Sequence, residues 1–398
     1  MQMASRIPKI LLITPSSMSS VTGGTVLLQG LLEHIPPDRL CWAAVGGDRP
    51  RIPSWMERYR RVIFPSIIFN RIIQALARRL PLGRLWGWVQ FRLYPWRVIP
   101  KILAFIQEEQ VEKLWVVASG QAIPVAARLH QQTGLPIHVT VHDDIEGHSS
   151  PAQAALLRDD FQRLLKAATT SDLTSTSMQA YYEDRHGAPR DPLIFGNGFF
   201  MGEVPPPPEL RRRVRSIGYA GNIWSPDNFR ILLRALDLVN KDRKPEDAIM
   251  IEVFSERLQK HFGLTSPYLI YRGLVEPEKI AERLRECDLL YVPMSFLPGK
   301  AILARTSLPG KIQSYMKVQM PILAHGPEYA THIGFVRDHQ VGLTSTSQDP
   351  GVVAAELLGY EAAYDQRTAA SRKSRELSLG EFSPEAAWAR FKAVLYRI

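Results

Sequence analysis

The residues with the clearest chemical potential lie in the last third of the chain. Thr306, Ser307 and Leu308 come just before a segment with helical spacing, and Lys311 falls in its first turn. Hydroxyls, the free N–H groups of a helix N-terminus and a lysine are groups that bind phosphate. We therefore predict a diphosphate site here. The alternative is that Ser307 is only a helix N-cap and Lys311 a surface charge.

Weaker signals occur in the first half of the chain. Gly23 and Gly24 lie between an apolar run and a helical pattern, where glycine allows a phosphate to approach the backbone, although such pairs are also common in ordinary turns. His142 follows another apolar run, so it could bind a ligand hydroxyl or simply hold its loop. The dinucleotide fingerprint G-x-G-x-x-G is absent. No Walker A sequence is present either, which argues against ATP hydrolysis of the Walker type.

The elements that must position these residues are short strands alternating with helices. This alternation indicates parallel sheets covered on both faces. In the first half, the predicted strands are 9–13, 40–48, 112–120 and 137–143, followed by a strand–helix–strand unit over 172–199. In the second half they are 215–221, 248–255, 268–273, 288–294 and 320–326, with helices at 229–241, 277–287, 309–318 and 384–398.

Four consecutive prolines, 205–208, separate the two halves and predict a stiff, extended linker. We expect an N-terminal domain over 1–204, a C-terminal domain over 209–378 and a final helical segment, 379–398. Two open parallel sheets joined in this way imply a cleft between domains, with ligands beyond the carboxyl ends of the strands.

Composition places the chain among ordinary globular proteins. Of its 398 residues 45% are hydrophobic and 22% charged, which excludes bulk disorder. Two cysteines cannot form a disulfide framework, and no apolar run is long enough to span a bilayer. We therefore expect a cytoplasmic protein.

The formal net charge of +10 comes from one segment, residues 51–101, which holds eleven Lys or Arg, one acid (Glu57) and four of the eight tryptophans. Within it, residues 62–80 have the apolar spacing of an amphipathic basic helix. Basic charge with aromatic side chains favours an anionic membrane surface, and the residues that we expect to contact membrane or acceptor are Arg71, Arg78, Arg79, Trp86 and Trp88. The alternative is a core helix with solvated arginines; no nucleic-acid-binding signature accompanies the charge.

Several stretches of the second half resemble the C-terminal domain of GT-B glycosyltransferases, nearest family 4. They are "IGYAGN" (217–222), "YRGLVEPEKIAERLRECDLLYVPM" (271–294) and "SLPGKIQSYMKVQMPILAHGP" (307–327). The Gly-Gly loop, "VHDD" (141–144) and "GNGF" (196–199) agree with the N-terminal domain. The resemblance covers most of the chain except 51–101. It implies an α/β protein with two Rossmann-like doubly wound parallel-sheet domains facing a cleft, and a C-terminal helix, 379–398, that returns to the N-terminal domain.

The resemblance also implies roles for individual residues. A nucleotide-sugar donor would lie mostly on the C-terminal domain, and His142 would lie near the transferred sugar and acceptor. Because GT-B enzymes generally need no metal, we expect neither a metal at Asp143 and Asp144 nor another cofactor. The residues implied in donor binding are Gly23, Gly24, Gly221, Asn222, Arg272, Gly273, Leu274, Arg305, Thr306, Ser307, Leu308 and Lys311.

The chain departs from the family pattern at two places. Thr306 and Ser314 occupy positions where the family often carries two glutamates, the first contacting sugar hydroxyls and the second the ribose. No cation follows the first C-domain strand before Arg230, so Lys311, Lys300 or Arg305 must meet the diphosphate charge.

Two hypotheses follow. The first is a glycosyltransferase, retaining as in family 4, that transfers a sugar from a nucleotide-diphosphate donor to a lipid-linked or membrane-proximal acceptor at the inner face of the cell membrane. The second is a catalytically silent sugar-nucleotide-binding or peripheral membrane scaffold protein with the same fold.

Overall fold

The computed structural model describes residues 7–15, 23–46, 52–65, 89–186, 191–194, 203–255 and 263–397. The chain divides into two compact units. The first comprises Met1–Gly196 together with Ala387–Ile398, and the second comprises Asn197–Ala386. The first unit is therefore built from two separate stretches of sequence.

The described part of the first unit contains a seven-stranded parallel sheet of order β3-β2-β1-β4-β5-β6-β7. Its strands are β1 (Ile10–Thr14), β2 (Leu40–Val45), β3 (Arg60–Phe64), β4 (Lys113–Val117), β5 (Ile137–Val141), β6 (Thr170–Leu173) and β7 (Leu193–Ile194). The helices of residues 1–196 are α1 (Gly23–Leu32), α2 (Tyr94–Glu108), α3 (Ala122–Thr133), α4 (Ile145–His148), α5 (Pro151–Ala167) and α6 (Thr176–His186). Strands β1, β2, β4 and β5 are buried along their whole length, as expected where helices cover both faces of a sheet.

The described part of the second unit contains a six-stranded parallel sheet of order β10-β9-β8-β11-β12-β13. Its strands are β8 (Ser216–Ala220), β9 (Met250–Phe254), β10 (Leu269–Tyr271), β11 (Leu289–Pro293), β12 (Ile322–His325) and β13 (Gly342–Ser345). The helices are α7 (Pro226–Asn240), α8 (Pro277–Arg285), α9 (Ala301–Thr306), α10 (Lys311–Val318), α11 (Thr331–His339), α12 (Pro350–Ala362) and α13 (Tyr364–Leu379); α14 (Pro384–Leu395) follows. Each sheet has the strand order of a Rossmann-like domain, and the predicted fold class is confirmed.

The basic segment is not helical throughout, which corrects the prediction of a helix over 62–80. Residues 60–64 form β3, which pairs in parallel with β2 at the edge of the first sheet. A run of Val62, Ile63 and Phe64 favours extended structure, and the charges of Arg60 and Arg61 suit an edge strand because they discourage further pairing. Arg60 also forms ion pairs with Glu108 and Glu109 at 2.7 and 2.8 Å, so its positive charge is balanced within the unit. The remainder of that predicted helix, from residue 66, lies outside the described residues, as do Arg71, Arg78, Arg79, Trp86 and Trp88.

The C-terminal helix α14 contributes its last turns to the first unit through a buried polar network. Lys113 of β4 has no exposed surface, and its ammonium donates hydrogen bonds to the carbonyl oxygen of Arg397 and, at 3.4 Å, to the hydroxyl of Thr170. Burial and, less strongly, the charge of Arg397 lower the pKa of Lys113 to about 8. The amino end of β4 and the C-terminal segment therefore satisfy each other's polar groups.

An aromatic contact reinforces this attachment. Phe391 of α14 is fully buried, and its ring lies 5.2 Å from that of Trp115 and 5.3 Å from that of His138, measured between centroids. His138 is held in turn by Asp172, with 2.9 Å between Nε2 and Oδ1. Residues 387–397 thus cover one face of β4 and β5.

No helix among the described residues combines the length and the apolar character needed to cross a bilayer.

We expect Phe391→Ala to lower the free energy of unfolding of the first unit by about 3 kcal/mol, because the substitution leaves a cavity against Trp115 and His138. Urea denaturation followed by tryptophan fluorescence measures this change. Lys392→Ala, at an exposed position of the same helix, should change stability by less than about 0.5 kcal/mol. Equal effects of the two substitutions would show that the aromatic contact does not attach the helix.

Candidate functional site

The order of strands in the second unit identifies a position at the carboxyl end of the sheet where a ligand can bind. Strands β8 and β11 are adjacent at its centre, and the chain leaves them in opposite directions along the sheet. At such a switch point the loops beyond the carboxyl ends separate and open a crevice. Gly221 and Asn222 come directly after β8 and therefore lie at this point.

Lys311 reaches the same point from α10. It is the first residue of that helix, and its Nζ lies 4.9 Å from the centre of the Tyr219 ring. The side chain is half-buried, and burial alone lowers its pKa from 10.5 to about 8. Within the described part of the chain, no carboxylate forms an ion pair with Lys311, so the ammonium has an aromatic ring beneath it and no counter-ion.

Gly221 allows this approach for two reasons. Its φ of +96° lies in the left-handed region, which disfavours residues with a side chain. A Cβ at this position would also lie only 3.2 Å from Nζ of Lys311. Glycine therefore leaves the ammonium open on the side of the β8 loop. The structure brings these two predicted site residues together.

Two tyrosines that the sequence analysis missed hold this arrangement. The hydroxyl oxygen of Tyr315, on α10, accepts a hydrogen bond from the backbone N–H of Ala220 at 3.0 Å, and this bond connects the helix to the end of β8. The hydroxyl of Tyr219 donates to the carbonyl oxygen of Asn222 and so fixes the loop that contains Gly221. Their only sequence signal is position: Tyr219 lies near the end of a strand, and Tyr315 one turn after Lys311.

The loop before Lys311 differs from the prediction. Thr306 is not at the start of α10 but at the end of the short helix α9, and its hydroxyl donates to the carbonyl oxygen of Ile302 at 2.8 Å. Ser307 is only 6% exposed and Leu308 4% exposed, and Leu308 belongs to a hydrophobic core cluster of the second unit. Thr331 of α11 donates a hydrogen bond to the carbonyl oxygen of Ser307, which connects the loop before α10 to α11. The N-cap of α10 is Gly310, so neither Thr306 nor Ser307 occupies that position. Their role in binding a diphosphate stays a prediction.

The other residues of the second unit that are predicted to bind the nucleotide-sugar donor have contacts of their own, which do not involve Lys311. Nε of Arg272 binds a carboxylate oxygen of Glu252 at 2.8 Å, so part of its charge is met. Gly273 has a φ of +75°, and Leu274 is 75% exposed just beyond β10. The guanidinium of Arg305 lies 4.9 Å above the Tyr329 ring.

In the first unit, Gly23 and Gly24 form the first turn of α1, after β1. His142 follows β5, and its Nε2 is buried without a hydrogen-bond partner among the described residues. Asp144 caps α4 by accepting from the backbone N–H groups of Glu146, at 2.7 Å, and Gly147. Burial raises the pKa of the Asp144 carboxyl, and those N–H groups oppose the rise.

In the part of the chain that the structure describes, no three His, Cys, Asp or Glu side chains are grouped closely enough to hold a metal ion. The second unit contains an accessible cation, Lys311, in the first turn of an eight-residue helix and beside Gly221. Such an arrangement can bind a phosphate group.

Two Rossmann-like units with these strand orders define a GT-B fold. No protein-family model and no curated protein sequence matches the chain.

Solved structures of the same fold cover nearly the whole chain. HepE from Anabaena, in complex with UDP and glucose, has a TM-score of 0.66 at 15% identity and covers 98% of this chain and 100% of its own. Sucrose-phosphate synthase from Thermosynechococcus elongatus has a TM-score of 0.65 at 12% identity, with 97% and 98% covered. The lipopolysaccharide outer core galactosyltransferase WaaB, in its apo form, has a TM-score of 0.64 at 10% identity, with 97% and 99% covered. At these identities the likeness establishes the fold.

We expect Lys311→Met to raise the free energy of unfolding at pH 7 by about 1 kcal/mol, because it replaces a half-buried, unpaired charge with an apolar side chain. The folded pKa of Lys311, about 8, is below its unfolded value of about 10.4. The folded state therefore binds fewer protons in this window, and the lysine's contribution to stability rises as the pH increases through it. The difference between wild type and variant should accordingly shrink between pH 8 and 10.

Denaturation at several pH values tests this expectation, with Lys241→Met as the matched control at an exposed position. A Lys311→Met protein that is less stable than wild type at pH 7 would mean that the ammonium has a partner in the folded state.

Proposed function

We propose that this protein is a glycosyltransferase that takes a sugar from a nucleotide-diphosphate donor bound to its second unit. The observation that carries the proposal is the half-buried Lys311 ammonium, without a counter-ion among the described residues, beside Gly221 at the switch point of the sheet. A diphosphate supplies the missing negative charge. The resemblance of the sequence to family 4 and the UDP bound to HepE support the same class of ligand.

The rest of the donor has suitable surfaces near the ends of the strands. Because Arg272 is bound to Glu252, we assign the nucleobase to the backbone of residues 272–274, where Gly273 is left-handed and Leu274 presents an apolar side chain. The first turn of α10 adds backbone N–H groups and the positive end of the helix dipole for the phosphates. Arg305 lies on the preceding helix and adds a second cation.

In the proposed reaction, the bond between the anomeric carbon and the diphosphate oxygen breaks, and its electron pair stays on the diphosphate. The acceptor hydroxyl oxygen bonds to the anomeric carbon and loses its proton to the departing phosphate. Lys311 stabilises the negative charge that develops on the leaving group, which is electrostatic catalysis by a group already in place. Retention of configuration follows from the resemblance to family 4.

His142 is the proposed contact for the sugar or the acceptor. Its Nε2 lacks a partner in the described part of the first unit, and an imidazole nitrogen can either donate to or accept from a hydroxyl. Gly23 and Gly24, in the first turn of α1, are proposed to take part in donor binding, as the resemblance to family 4 implies.

The acceptor is proposed to be lipid-linked and the protein to be peripheral at an anionic membrane. Among the described residues of segment 51–101, Trp96 is 72% and Leu93 44% exposed on or next to the first turn of α2. Arg97 and Lys101 are exposed on the same helix. An exposed tryptophan beside exposed basic residues suits the boundary between headgroups and lipid chains.

We expect Lys311→Met to weaken UDP binding by about 10- to 100-fold, the effect of losing one charge-assisted hydrogen bond. Since phosphate binds the protonated amine, the affinity of the wild type should fall as the pH rises above about 8, and that dependence should disappear in the variant. Isothermal titration calorimetry measures both, with Lys241→Met as the control.

Turnover separates the enzyme from the silent alternative. A panel of UDP-, GDP- and ADP-sugars should include one donor that the wild type hydrolyses slowly and that Lys311→Met does not. Tight binding of a nucleotide sugar without hydrolysis or transfer would instead identify a sugar-nucleotide-binding protein.

The membrane proposal predicts co-sedimentation with vesicles that contain phosphatidylglycerol and not with neutral vesicles. Because each basic residue near the surface contributes about 1 kcal/mol, Arg78→Glu with Arg79→Glu should reduce binding at least tenfold, and added salt should weaken it. The matched control is Arg234→Glu with Lys241→Glu, at exposed positions of the second unit. Equal binding to neutral vesicles would refute the proposal.

A further inference from the structure

The second cation of the candidate donor site is Arg305, near the end of α9. Its guanidinium carbon lies 4.9 Å from the centre of the Tyr329 ring. Both side chains are accessible, since Arg305 is exposed and Tyr329 is 41% exposed. Among the described residues, no carboxylate forms an ion pair with Arg305. Stacking on an aromatic ring orients a guanidinium and leaves the N–H groups at its edge able to donate.

A buried hydrogen bond holds the backbone beneath this stack. The hydroxyl of Thr331, two residues after Tyr329, donates to the carbonyl oxygen of Ser307, two residues after Arg305. Thr331 and Ser307 are both buried. The backbone therefore brings Arg305 and Tyr329 together, in addition to the contact between their side chains.

The residues next to the stack give it no free negative charge. Glu328 precedes Tyr329, but Arg337 binds both of its carboxylate oxygens, at 2.7 and 3.1 Å. Thr306 follows Arg305, but it has no exposed surface, and its hydroxyl donates to the carbonyl oxygen of Ile302 at 2.8 Å. A ligand group that reaches Arg305 therefore meets a positive charge whose counter-ion the ligand itself can supply.

The strand order separates Arg305 from the proposed position of the nucleobase. Residues 272–274 follow β10, the ammonium of Lys311 lies beside the end of β8, and Tyr329 follows β12. Strands β10 and β12 are each two strands from β8, in opposite directions, which is about 10 Å at the usual spacing between strands. A donor with its nucleobase at 272–274 and its diphosphate at Lys311 therefore extends its sugar towards Arg305.

We infer that the transferred sugar is a uronate, a sugar in which carbon 6 is a carboxylate. The inference rests on the proposed function and names the class of sugar that the donor carries. The two carboxylate oxygens accept hydrogen bonds from two N–H groups of Arg305, a pairing for which the planar guanidinium is suited. A neutral hexose has a hydroxymethyl group at the same carbon and supplies no charge for Arg305. The site therefore selects its donor by charge.

The test compares UDP-glucuronate with UDP-glucose, which differ only at carbon 6, by isothermal titration calorimetry on the full chain. The wild type should bind UDP-glucuronate at least tenfold more tightly than UDP-glucose, because only the uronate forms a charge-assisted pair. Arg305→Met should reduce this preference to less than about twofold. Arg305→Glu should reverse it, since like charges then meet at carbon 6. Arg234→Met, the matched change at an exposed position of α7, should leave the preference unchanged.

Binding of UDP alone distinguishes a sugar contact from a phosphate contact. If Arg305→Met weakens UDP as strongly as it weakens UDP-glucuronate, Arg305 binds the diphosphate and the inference is overturned. Equal affinity of the wild type for the two nucleotide sugars, or a preference that survives in Arg305→Met, would overturn it too. In each of these cases UDP still binds and the proposed function stands. Absence of UDP binding would instead overturn the proposed function, and the inference with it.

Discussion

The burial of the parallel strands is the constraint on which the rest of the structure depends. Inside a sheet that is covered on both faces, a charged or strongly polar group is costly unless it forms a hydrogen bond. Lys113 meets the carbonyl oxygen of Arg397, and His138 meets Asp172. Side chains that must remain available to a ligand are therefore restricted to the carboxyl ends of the strands. Lys311, close to Tyr219 and Gly221, occupies such a position.

The contrast between Lys113 and Lys311 shows how the same residue type serves two purposes. Burial lowers the pKa of both to about 8. The ammonium of Lys113 is occupied by hydrogen bonds, one of which attaches residues 387–397 to the first unit. In Lys311 it rests on an aromatic ring, which stabilises a cation without occupying its N–H donors. The N–H donors of Lys311 therefore remain available.

The sequence predicts much of the fold because most strands are continuous apolar runs. It fails at β3, where residues 62–64 are included in a helical pattern that extends to residue 80 but form an edge strand instead. For the site, it identifies Lys311 and Gly221 but misses Tyr219 and Tyr315. Tyr219 is 92 residues from Lys311, and their contact arises only because β8 is placed at the centre of the sheet. The sequence also places Thr306 at the start of the wrong helix. Its hydroxyl donates to the carbonyl oxygen of Ile302 within α9, and composition does not reveal this bond.

The discontinuity of the first unit bears on how the protein is made. Its sheet can pair as soon as residues 10–194 have left the ribosome, but Trp115 and His138 are then uncovered, and Lys113 lacks its carbonyl partner. The second unit, which is contiguous, can be completed earlier. Full maturation of the first-made unit must wait until residues 387–397 emerge. The unit that is synthesised first is therefore completed last. Until residues 387–397 emerge, a chaperone would bind apolar surface on the first unit.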